Sequence, residues 1–298
     1  MSDWFKPRGT TAAEGFDVTV IRPGDPGWAH TGLLVADLAD GESRTVSTGE
    51  CEYIVLPLSG AARVSVTAEG YTQEFELAGR KDVFSGPTDL VYVPRDAEVT
   101  VTSVGGGRYA WPSATARSAF PVAKIEAKDV PVELRGAGQA SRQVQNFGTP
   151  GTLEADSIIA CEVITPAGNW SSYPPHKHDE ERPGEESSLE EIYYFEMRAE
   201  DGAPEGADPM GYQRVYGTDD RPIDVLAEVR SGDTVLVPHG WHGPAMAPTG
   251  YDMYYLNVMA GPGEERVWLI CDDPAHGWVR DAWPGQDVDP RLPLHEKS

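Results

Sequence analysis

The stretch CEYIVLPLSG, residues 51–60, shows the pattern that decides the fold. It is a short run of apolar residues rich in β-branched and aromatic types, and it ends at proline and glycine, which mark turns. Helical periodicity is almost absent between residues 16 and 112. The pattern therefore predicts an all-β sandwich or small barrel. The other runs of this kind in the first half are FDVTVIRP, TGLLVADL, ARVSVTAEG, FELAG, LVYVP and EVTVTSV.

The second half of the chain repeats the character of the first. VFSGPTDLVYVPRDAEV in the first half and VRSGDTVLVPHGWH in the second both place a strand ending in Val-Pro after a glycine turn. The looser segment from about residue 112 to 150 mixes possible short strands with glycine- and proline-rich loop, and it is interpreted as the linker and entry to the second unit. We therefore predict two tandem barrels, residues 1–125 and residues 126–298. The predicted strands of the second half are SIIACEVITPAG, EIYYFEM, GYQRVYG, DVLAEV, DTVLVP, DMYYLNVMAG and RVWLI.

Composition restricts the partners that the chain is expected to bind. Its 298 residues include 24 Lys and Arg against 48 Asp and Glu, a net charge of −24. Such a surface repels nucleic acid and anionic membranes. The sequence shows neither an apolar segment of membrane-spanning length nor a signal-peptide core, so we expect a cytoplasmic protein. Three widely spaced cysteines without a CxxC motif predict neither a disulfide framework nor a cysteine metal cluster.

Two histidines one residue apart distinguish the second half from the first. In PPHKHD, residues 174–179, the preceding prolines favour extended backbone. Alternate residues of an extended segment point to the same side, so His176 and His178 can present nitrogens to one point while Lys177 faces away. The geometry suits two metal ligands, although a lone HxH motif is weak support for a metal.

Further ligand candidates follow in the strand EIYYF and in GDTVLVPHGWHG. In the strand, Glu190 and Glu191 point to opposite faces, so only one of them can point inward. The later loop carries His239 and His242. Three imidazoles and one carboxylate suit a single divalent ion, with zinc as the first expectation and manganese, iron, nickel or cobalt as alternatives.

The order of these residues resembles the cupin signature. It comprises glycine, HxH, glutamate at the head of an EIYY-type strand, and a glycine-proline-glycine segment followed by histidine. The loop after His178 is longer than in the usual signature, and the last histidine follows its glycine by two positions instead of three. The resemblance implies that His176, His178, Glu191 and His242 bind the metal. The matching glycines and proline are Gly168, Gly232, Pro238 and Gly240.

The string GNWSSYPPHKHD, with LEEIYYF, GDTVLVPHGWHG and YYLNVMAGP, resembles the 5-deoxy-glucuronate isomerase family of bacterial myo-inositol breakdown. The resemblance extends to the first half, at residues 79–84 and 91–94. It implies a bicupin of two double-stranded β-helix (jelly-roll) barrels, of which the N-terminal one is degenerate. It also implies a metal-dependent aldose–ketose isomerisation of 5-deoxy-glucuronate to 2-deoxy-5-keto-gluconate, and a relation to the uronate ketol-isomerases of pectin breakdown.

An isomerisation of this kind needs a general base, and the substrate carboxylate needs a cation. The candidates for proton transfer are Asp179, Glu190, His239 and the tyrosines of EIYYF and DMYYLN, Tyr193 in particular. The candidates for the carboxylate are Lys177 and Arg182, with Arg198 and Arg214 further along the chain.

Two other functions are compatible with the same residues. A cupin dioxygenase would use a redox-active metal and oxygen, and a sugar-acid-binding bicupin would bind its ligand without turnover. The expected partner is in each case a small molecule. Exposed strand edges also make a homo-oligomer plausible.

Overall fold

The computed structural model describes residues 3–296, and nearly all of its regular structure is antiparallel strand. The all-β prediction is therefore confirmed. The strands are β1 (Phe5–Lys6), β2 (Thr19–Ile21), β3 (Thr31–Leu38), β4 (Ser43–Ser47), β5 (Cys51–Pro57), β6 (Gly60–Ala68), β7 (Tyr71–Arg80), β8 (Leu90–Val93), β9 (Glu98–Val104), β10 (Gly107–Thr115), β11 (Ala123–Ile125), β12 (Val132–Arg135), β13 (Arg142–Gly148), β14 (Ile159–Thr165), β15 (Trp170–Ser171), β16 (His176–Lys177), β17 (Glu190–Ala199), β18 (Gly211–Tyr216), β19 (Asp224–Val229), β20 (Thr234–Val237), β21 (Trp241–Met246), β22 (Tyr251–Ala260) and β23 (Cys271–Asp272). Short 3₁₀ turns occupy Ala127–Asp129, Gly138–Ala140, Gly277–Ala282 and Leu294–Glu296.

The first barrel is formed by two facing sheets. One has the strand order β11-β8-β5-β10-β3-β2, and the other has the order β4-β9-β6-β7. Side chains such as Tyr53 and Val55 fill the space between the two sheets. Their neighbours Ile54 and Leu56 point to the opposite face of β5, as the alternation of a strand requires.

The second barrel repeats this design and contains the histidines. Its larger sheet has the order β1-β20-β17-β22-β14-β13-β12, and its smaller sheet has the order β19-β18-β21-β16-β23, with β15 paired to β21. Tyr193 and Phe195 of β17 lie in the core between these sheets. The two tandem barrels predicted from the sequence are thus present.

A third hydrophobic layer joins the barrels. Ile54 and Leu56 of the first barrel belong to the same buried cluster as Ile192 and Tyr194 of the second. The larger sheets of both barrels are therefore covered on both faces. This double burial explains why CEYIVLP and EIYYF read as nearly continuous apolar runs instead of alternating ones.

Two buried glutamates connect the barrels in the same way from opposite sides. Glu52 of β5 accepts hydrogen bonds from the backbone N–H groups of residues 156–158, just before β14. Glu190 of β17 accepts the equivalent bonds from residues 29–31, at the start of β3. The residues that follow the two glutamates also occupy equivalent positions. Tyr53, which follows Glu52, pairs with the last residue of β8, and Glu191, which follows Glu190, pairs with the last residue of β20.

Some local details differ from the sequence prediction. The segment interpreted as the linker and entry to the second unit supplies β12 and β13 to the second barrel, but β1 from the N-terminal part unexpectedly joins that barrel's sheet as well. The RVWLI segment is not a strand. Its Arg266 donates hydrogen bonds to the carbonyls of Gly148, Leu153 and Ile158, which hold the segment against a loop. The predicted division at residue 125 falls between β11, which pairs in the first barrel, and β12, which pairs in the second.

Within residues 3–296, we find no helix with the length and apolar character needed to cross a membrane.

Candidate metal centre

Three strands of the second barrel bring the proposed ligands together. His176 in β16 pairs directly with His242 in β21, so the two rings lie side by side with centroids 4.4 Å apart. His178 follows β16, and its ring centroid lies 4.7 Å from that of His242. Glu191 extends from β17 on the face that points into the barrel, and all four side chains are at least nine-tenths buried.

Backbone carbonyls orient the three rings. The Nδ1 atoms of His178 and His242 lie 3.1 Å from the carbonyl oxygens of Leu189 and Gly240. His176 Nδ1 lies 3.4 Å from the carbonyl oxygen of Pro174. Because a carbonyl only accepts hydrogen bonds, each Nδ1 carries the proton and each Nε2 has a free lone pair. This is the arrangement in which imidazoles bind metals.

The Nε2 lone pairs of the histidines and the carboxylate of Glu191 lie close enough together to bind one cation. One carboxylate oxygen, Glu191 Oε2, lies 3.0 Å from both His178 Nε2 and His242 Nε2. His242 Nε2 is buried and has no hydrogen-bond partner. The candidate ligand atoms of the three histidines lie within 4.8 Å of one another. Buried acceptors at this separation repel one another unless a positive charge lies between them, and imidazole plus carboxylate suits a divalent transition metal.

An ionised Glu191 and a neutral His176 agree with this arrangement. Burial alone would raise the pKa of Glu191, but its close contacts with the rings of His178 and His242 lower it to about 2, so the carboxylate is ionised. Burial and the neighbouring imidazoles lower the pKa of His176 well below its usual value. For His178, the hydrogen bond and charge of Glu191 outweigh burial, and the pKa is raised.

A cavity opens beside the cluster, and hydroxyl groups form part of its wall. His176, Glu191, Tyr193 and Tyr255 line it, together with Ser172. Ser172 Oγ lies 3.1 Å from the hydroxyl oxygens of both tyrosines. Burial raises the pKa of Tyr255 to about 12 and that of Tyr193 well above its usual value. Both tyrosines therefore keep their protons at neutral pH. The predicted candidate Tyr193 thus lies at the site.

Arginines line another part of the same cavity. Arg135, Arg142 and Arg280 all contribute to its wall. Arg135 forms an ion pair of 2.9 Å with Glu133, and Arg280 donates two hydrogen bonds to the carboxylate of Asp272. The site thus combines converging metal ligands, protonated hydroxyls and guanidinium groups.

Glu190 does not reach this site. Its carboxylate lies on the opposite face of β17 and accepts hydrogen bonds from the backbone of the first barrel, including Thr31 N at 2.6 Å and Thr31 Oγ1 at 3.0 Å. The alternation of the strand is the reason, since it can direct only one of two adjacent glutamates inward. The expectation of a catalytic role for Glu190 is therefore corrected to a contact between the barrels.

The structure also places Asp179 and the two predicted carboxylate-binding residues outside the cavity. Lys177 Nζ lies 2.7 Å from Asp179 Oδ1 and 2.8 Å from Glu186 Oε1. Arg182 pairs with the second oxygen of Glu186. Asp179 also accepts a hydrogen bond from Gly240 N at 2.9 Å, which ties the HxH segment to the loop before His242. Because these charges neutralise one another, neither cation is free for a substrate.

His239 likewise lies away from the cavity. Burial and the charge of Arg221 lower its pKa, and the charge of Asp179, which is itself paired with Arg221, offsets only part of this effect. The side chain belongs to the loop that precedes β21 and does not line the cavity wall. His239 is therefore not positioned to act as a general base in this cavity.

Sequence reasoning missed Arg142 and Ser172. Arg142 begins β13, in the segment interpreted as a linker. The alternation in RQVQNF would have indicated a strand there, with Arg142 and Val144 on one face. Ser172 lies within GNWSSYPPHKHD, but its role depends on a left-handed backbone conformation, φ 47°, that its sequence does not indicate.

Comparison with known proteins agrees with this architecture. Residues 4–279 match the sequence profile of the KduI/IolB family. A 5-deoxy-glucuronate isomerase of Geobacillus kaustophilus is 40% identical over 283 residues, which are 95% of this chain and 97% of the relative. The enzyme of the same name from Bacillus subtilis strain 168 is 40% identical over 247 residues, 82% of this chain and 86% of the relative.

Solved structures show the same fold. The crystal structure of an IolB-like protein from Salmonella typhimurium LT2 superposes with a TM-score of 0.82 at 35% identity, covering 93% of this chain and 99% of that one. An oxalate decarboxylase from Lactobacillus farciminis has a TM-score of 0.58 at 12% identity, covering 89% of this chain and 90% of that one. The second likeness concerns the fold alone and supports the assignment of two cupin barrels.

Proposed function

The chain belongs to the KduI/IolB family, and we propose that it is a 5-deoxy-glucuronate isomerase of myo-inositol degradation. The observation that carries the proposal is the convergence of three imidazole lone pairs and the Glu191 carboxylate beside a cavity with an arginine-lined wall. The relatives that share the chain's length are named for this activity.

The reaction requires no external oxidant or reductant. A hydrogen leaves the hydroxyl-bearing carbon next to the aldehyde, a hydrogen is added to the aldehyde carbon, and the carbonyl moves to the neighbouring carbon. The product, 2-deoxy-5-keto-gluconate, has the same atoms as the substrate. The enzyme must therefore stabilise an enediol-like transition state and move protons between two adjacent carbons and their oxygens.

We assign the metal ligands to His176, His178, Glu191 and His242. Zinc is the first expectation for the ion, and manganese, iron, nickel or cobalt are alternatives. When bound, the ion supplies Lewis-acid polarisation of the adjacent carbonyl and hydroxyl oxygens of the substrate. The backbone carbonyls behind the three rings keep the Nε2 atoms directed at it.

The hydroxyl groups of the cavity hold protons for the reaction. Tyr193 Oη and Tyr255 Oη are protonated at neutral pH, because burial raises the pKa of both tyrosines. Ser172 Oγ lies between them and links the two hydroxyls in one hydrogen-bonded chain. We assign to Tyr193 the donation of a hydrogen bond to a substrate oxygen, with Ser172 and Tyr255 supplying the next proton.

The proposal is tested by incubating the purified protein with 5-deoxy-glucuronate under nitrogen and following the products by NMR. Conversion to the ketose without any consumption of oxygen supports the isomerase. Conversion that requires oxygen and changes the oxidation state of the carbon skeleton would instead support a dioxygenase. Saturable binding of the sugar acid without turnover would support a binding protein.

A further inference from the structure

The arginine wall of the cavity has more positive charge than its own carboxylates neutralise. Arg135 is paired with Glu133, and Arg280 is paired with Asp272. Arg142 has no carboxylate partner within residues 3–296. The one hydrogen bond found for its side chain is donated by Nη1 to the carbonyl of Ala140, at 3.1 Å. Three guanidinium groups and two carboxylates leave one positive charge at the wall.

The position of Arg142 is unfavourable without an anion. It lies directly opposite Arg135 in the antiparallel pair β12–β13. Like charges at directly opposed positions of a sheet repel each other. Burial, followed by the charges of Arg135 and Arg280, lowers the pKa of Arg142 to about 10, and the charge of Glu133 offsets only part of this effect. A chain with a net charge of −24 offers many carboxylates, but none among the described residues pairs with this guanidinium.

The ring of Trp283 contacts the faces of Arg142 and Arg280 and leaves the remaining N–H donors of Arg142 available, whereas the edge of Arg280 is already bound to Asp272. The guanidinium carbons of Arg142 and Arg280 lie 5.8 Å and 5.1 Å from the ring centroid of Trp283. Stacking of this kind occupies the face of a guanidinium group and fixes its orientation. The planar edge, with its N–H donors, is the part that binds a carboxylate in bidentate fashion.

From these observations we propose that Arg142 binds the carboxylate of the substrate, and so selects a sugar acid over a neutral sugar. The assignment replaces Lys177 and Arg182, whose charges are neutralised by Asp179 and Glu186. It rests on the proposed function for the identity of the substrate, but the requirement for an anion at Arg142 follows from the cavity itself.

A combined change of protein and substrate tests the assignment. We would measure kcat/KM of the wild type and of R142Q with 5-deoxy-glucuronate and with its primary amide. A charge-assisted hydrogen bond is worth about 1.5–3 kcal/mol, so R142Q should lose roughly 10- to 100-fold on the acid. With the amide as substrate, the wild type and R142Q should have nearly equal kcat/KM. R142K, which keeps the charge but not the planar fork, should recover part of the activity on the acid.

The matched control is R63Q, since Arg63 is exposed on β6 of the first barrel and lies far from the second-barrel cavity in the fold. R63Q should leave the ratio of kcat/KM on the acid to kcat/KM on the amide unchanged. Equal losses of R142Q on the acid and the amide would show a merely structural role and overturn the inference. A ratio that collapses in R135Q or R280Q but not in R142Q would overturn it as well.

Direct binding separates this inference from the proposed function. Isothermal titration calorimetry would measure the affinity of wild type and R142Q, both with metal as purified, for an equilibrated mixture of substrate and product. If the wild type turns over neither compound but binds the acid, and R142Q loses that binding, the isomerase assignment fails while the role of Arg142 stands. Equal binding by both proteins, or no binding by the wild type, would overturn the role of Arg142.

Discussion

Glu190 and Glu191 are adjacent in β17, yet their carboxylates serve different parts of the molecule. Glu191 Oε2 lies 3.0 Å from two imidazole nitrogens in the second barrel. Glu190 Oε1 lies 2.6 Å from the backbone nitrogens of His30 and Thr31 in the first barrel. One strand thus supplies both the proposed metal ligand and a contact between the barrels, and single substitutions can separate the two roles.

The pair E191Q and E190Q tests this division. E191Q should purify with little metal, because a neutral amide is a poor ligand and cannot balance the charge of the ion. E190Q should keep its metal but lose about 2–3 kcal/mol of stability, because several donors lose a charged acceptor. Elemental analysis and denaturant unfolding measure the two effects. Metal loss in E190Q with full retention in E191Q would reverse the assignment.

Replacing both His176 and His178 by alanine tests the remaining ligands. The double variant should lose its bound metal, and turnover should fall by more than about 100-fold, because changes even to residues behind the ligands often cost 10- to 100-fold. H276A is the matched control, since His276 is exposed and lies outside the cavity. Full metal retention in the double variant would refute the ligand assignment.

Gly243 follows His242 directly, and its lack of a side chain allows two segments of the site to meet. A Cβ at this position would overlap the carbonyl oxygen of Ser172, and φ is +101°. G243A should therefore be destabilised by more than about 3 kcal/mol and should lose metal. Gly250 has φ +89°, but a Cβ added there would meet nothing within 4 Å, so G250A should cost only about 1–2 kcal/mol of backbone strain.

Chemical denaturation and elemental analysis would compare the two glycine variants. Equal stability losses would show that conformational strain alone matters at Gly243. In that case, close approach of Ser172 would not be required for the site.

Much of the fold could be predicted because its determinants are local. The nearly continuous apolar runs in CEYIVLPLSG and EIYYF follow from burial on both faces of a sheet, and the strands end where glycine and proline end the runs. The HxH geometry is also local, so His176 and His178 could be recognised as ligand candidates. Choosing between Glu190 and Glu191 required knowledge of which face of β17 points into the barrel.

The cations that line the cavity could not be predicted because their position depends on contacts between distant segments. Lys177 and Arg182 are near the histidines in sequence, but Glu186 folds back and neutralises both. Arg142 is distant in sequence, and only the pairing of β13 with β14 brings it to the cavity. Proximity along the chain was a poor guide, since the loop that separates His178 from Glu191 carries its own counterions.

The C-terminal segment provides a prediction about pH. Hydrogen bonds from Arg291 lower the pKa of Asp289 from 3.8 to about 2, and Asn169 of the second barrel contributes to the shift. A depressed pKa means that this carboxylate stabilises the fold above about pH 4 and loses that effect as the pH falls towards 2. D289N should therefore show a weaker dependence of unfolding free energy on pH in this range.

The matched control for D289N is D201N, because Asp201 is exposed in a turn. Urea unfolding at several pH values would provide the comparison. The unfolding free energies of wild type, D289N and D201N could change with pH at the same slope between pH 4 and 2. In that case, the contact of Asp289 with Arg291 and Asn169 does not contribute to acid stability.

The most direct test of the central claim is proton NMR of the purified protein with 5-deoxy-glucuronate in deuterated water under nitrogen, before and after chelation of the metal. We predict that ketose forms, that its formation stops on chelation, and that it returns when a divalent metal is added to the folded protein. Unchanged conversion after complete metal removal would contradict the role of His176, His178, Glu191 and His242. No conversion by folded, metal-loaded protein would contradict the isomerase assignment itself.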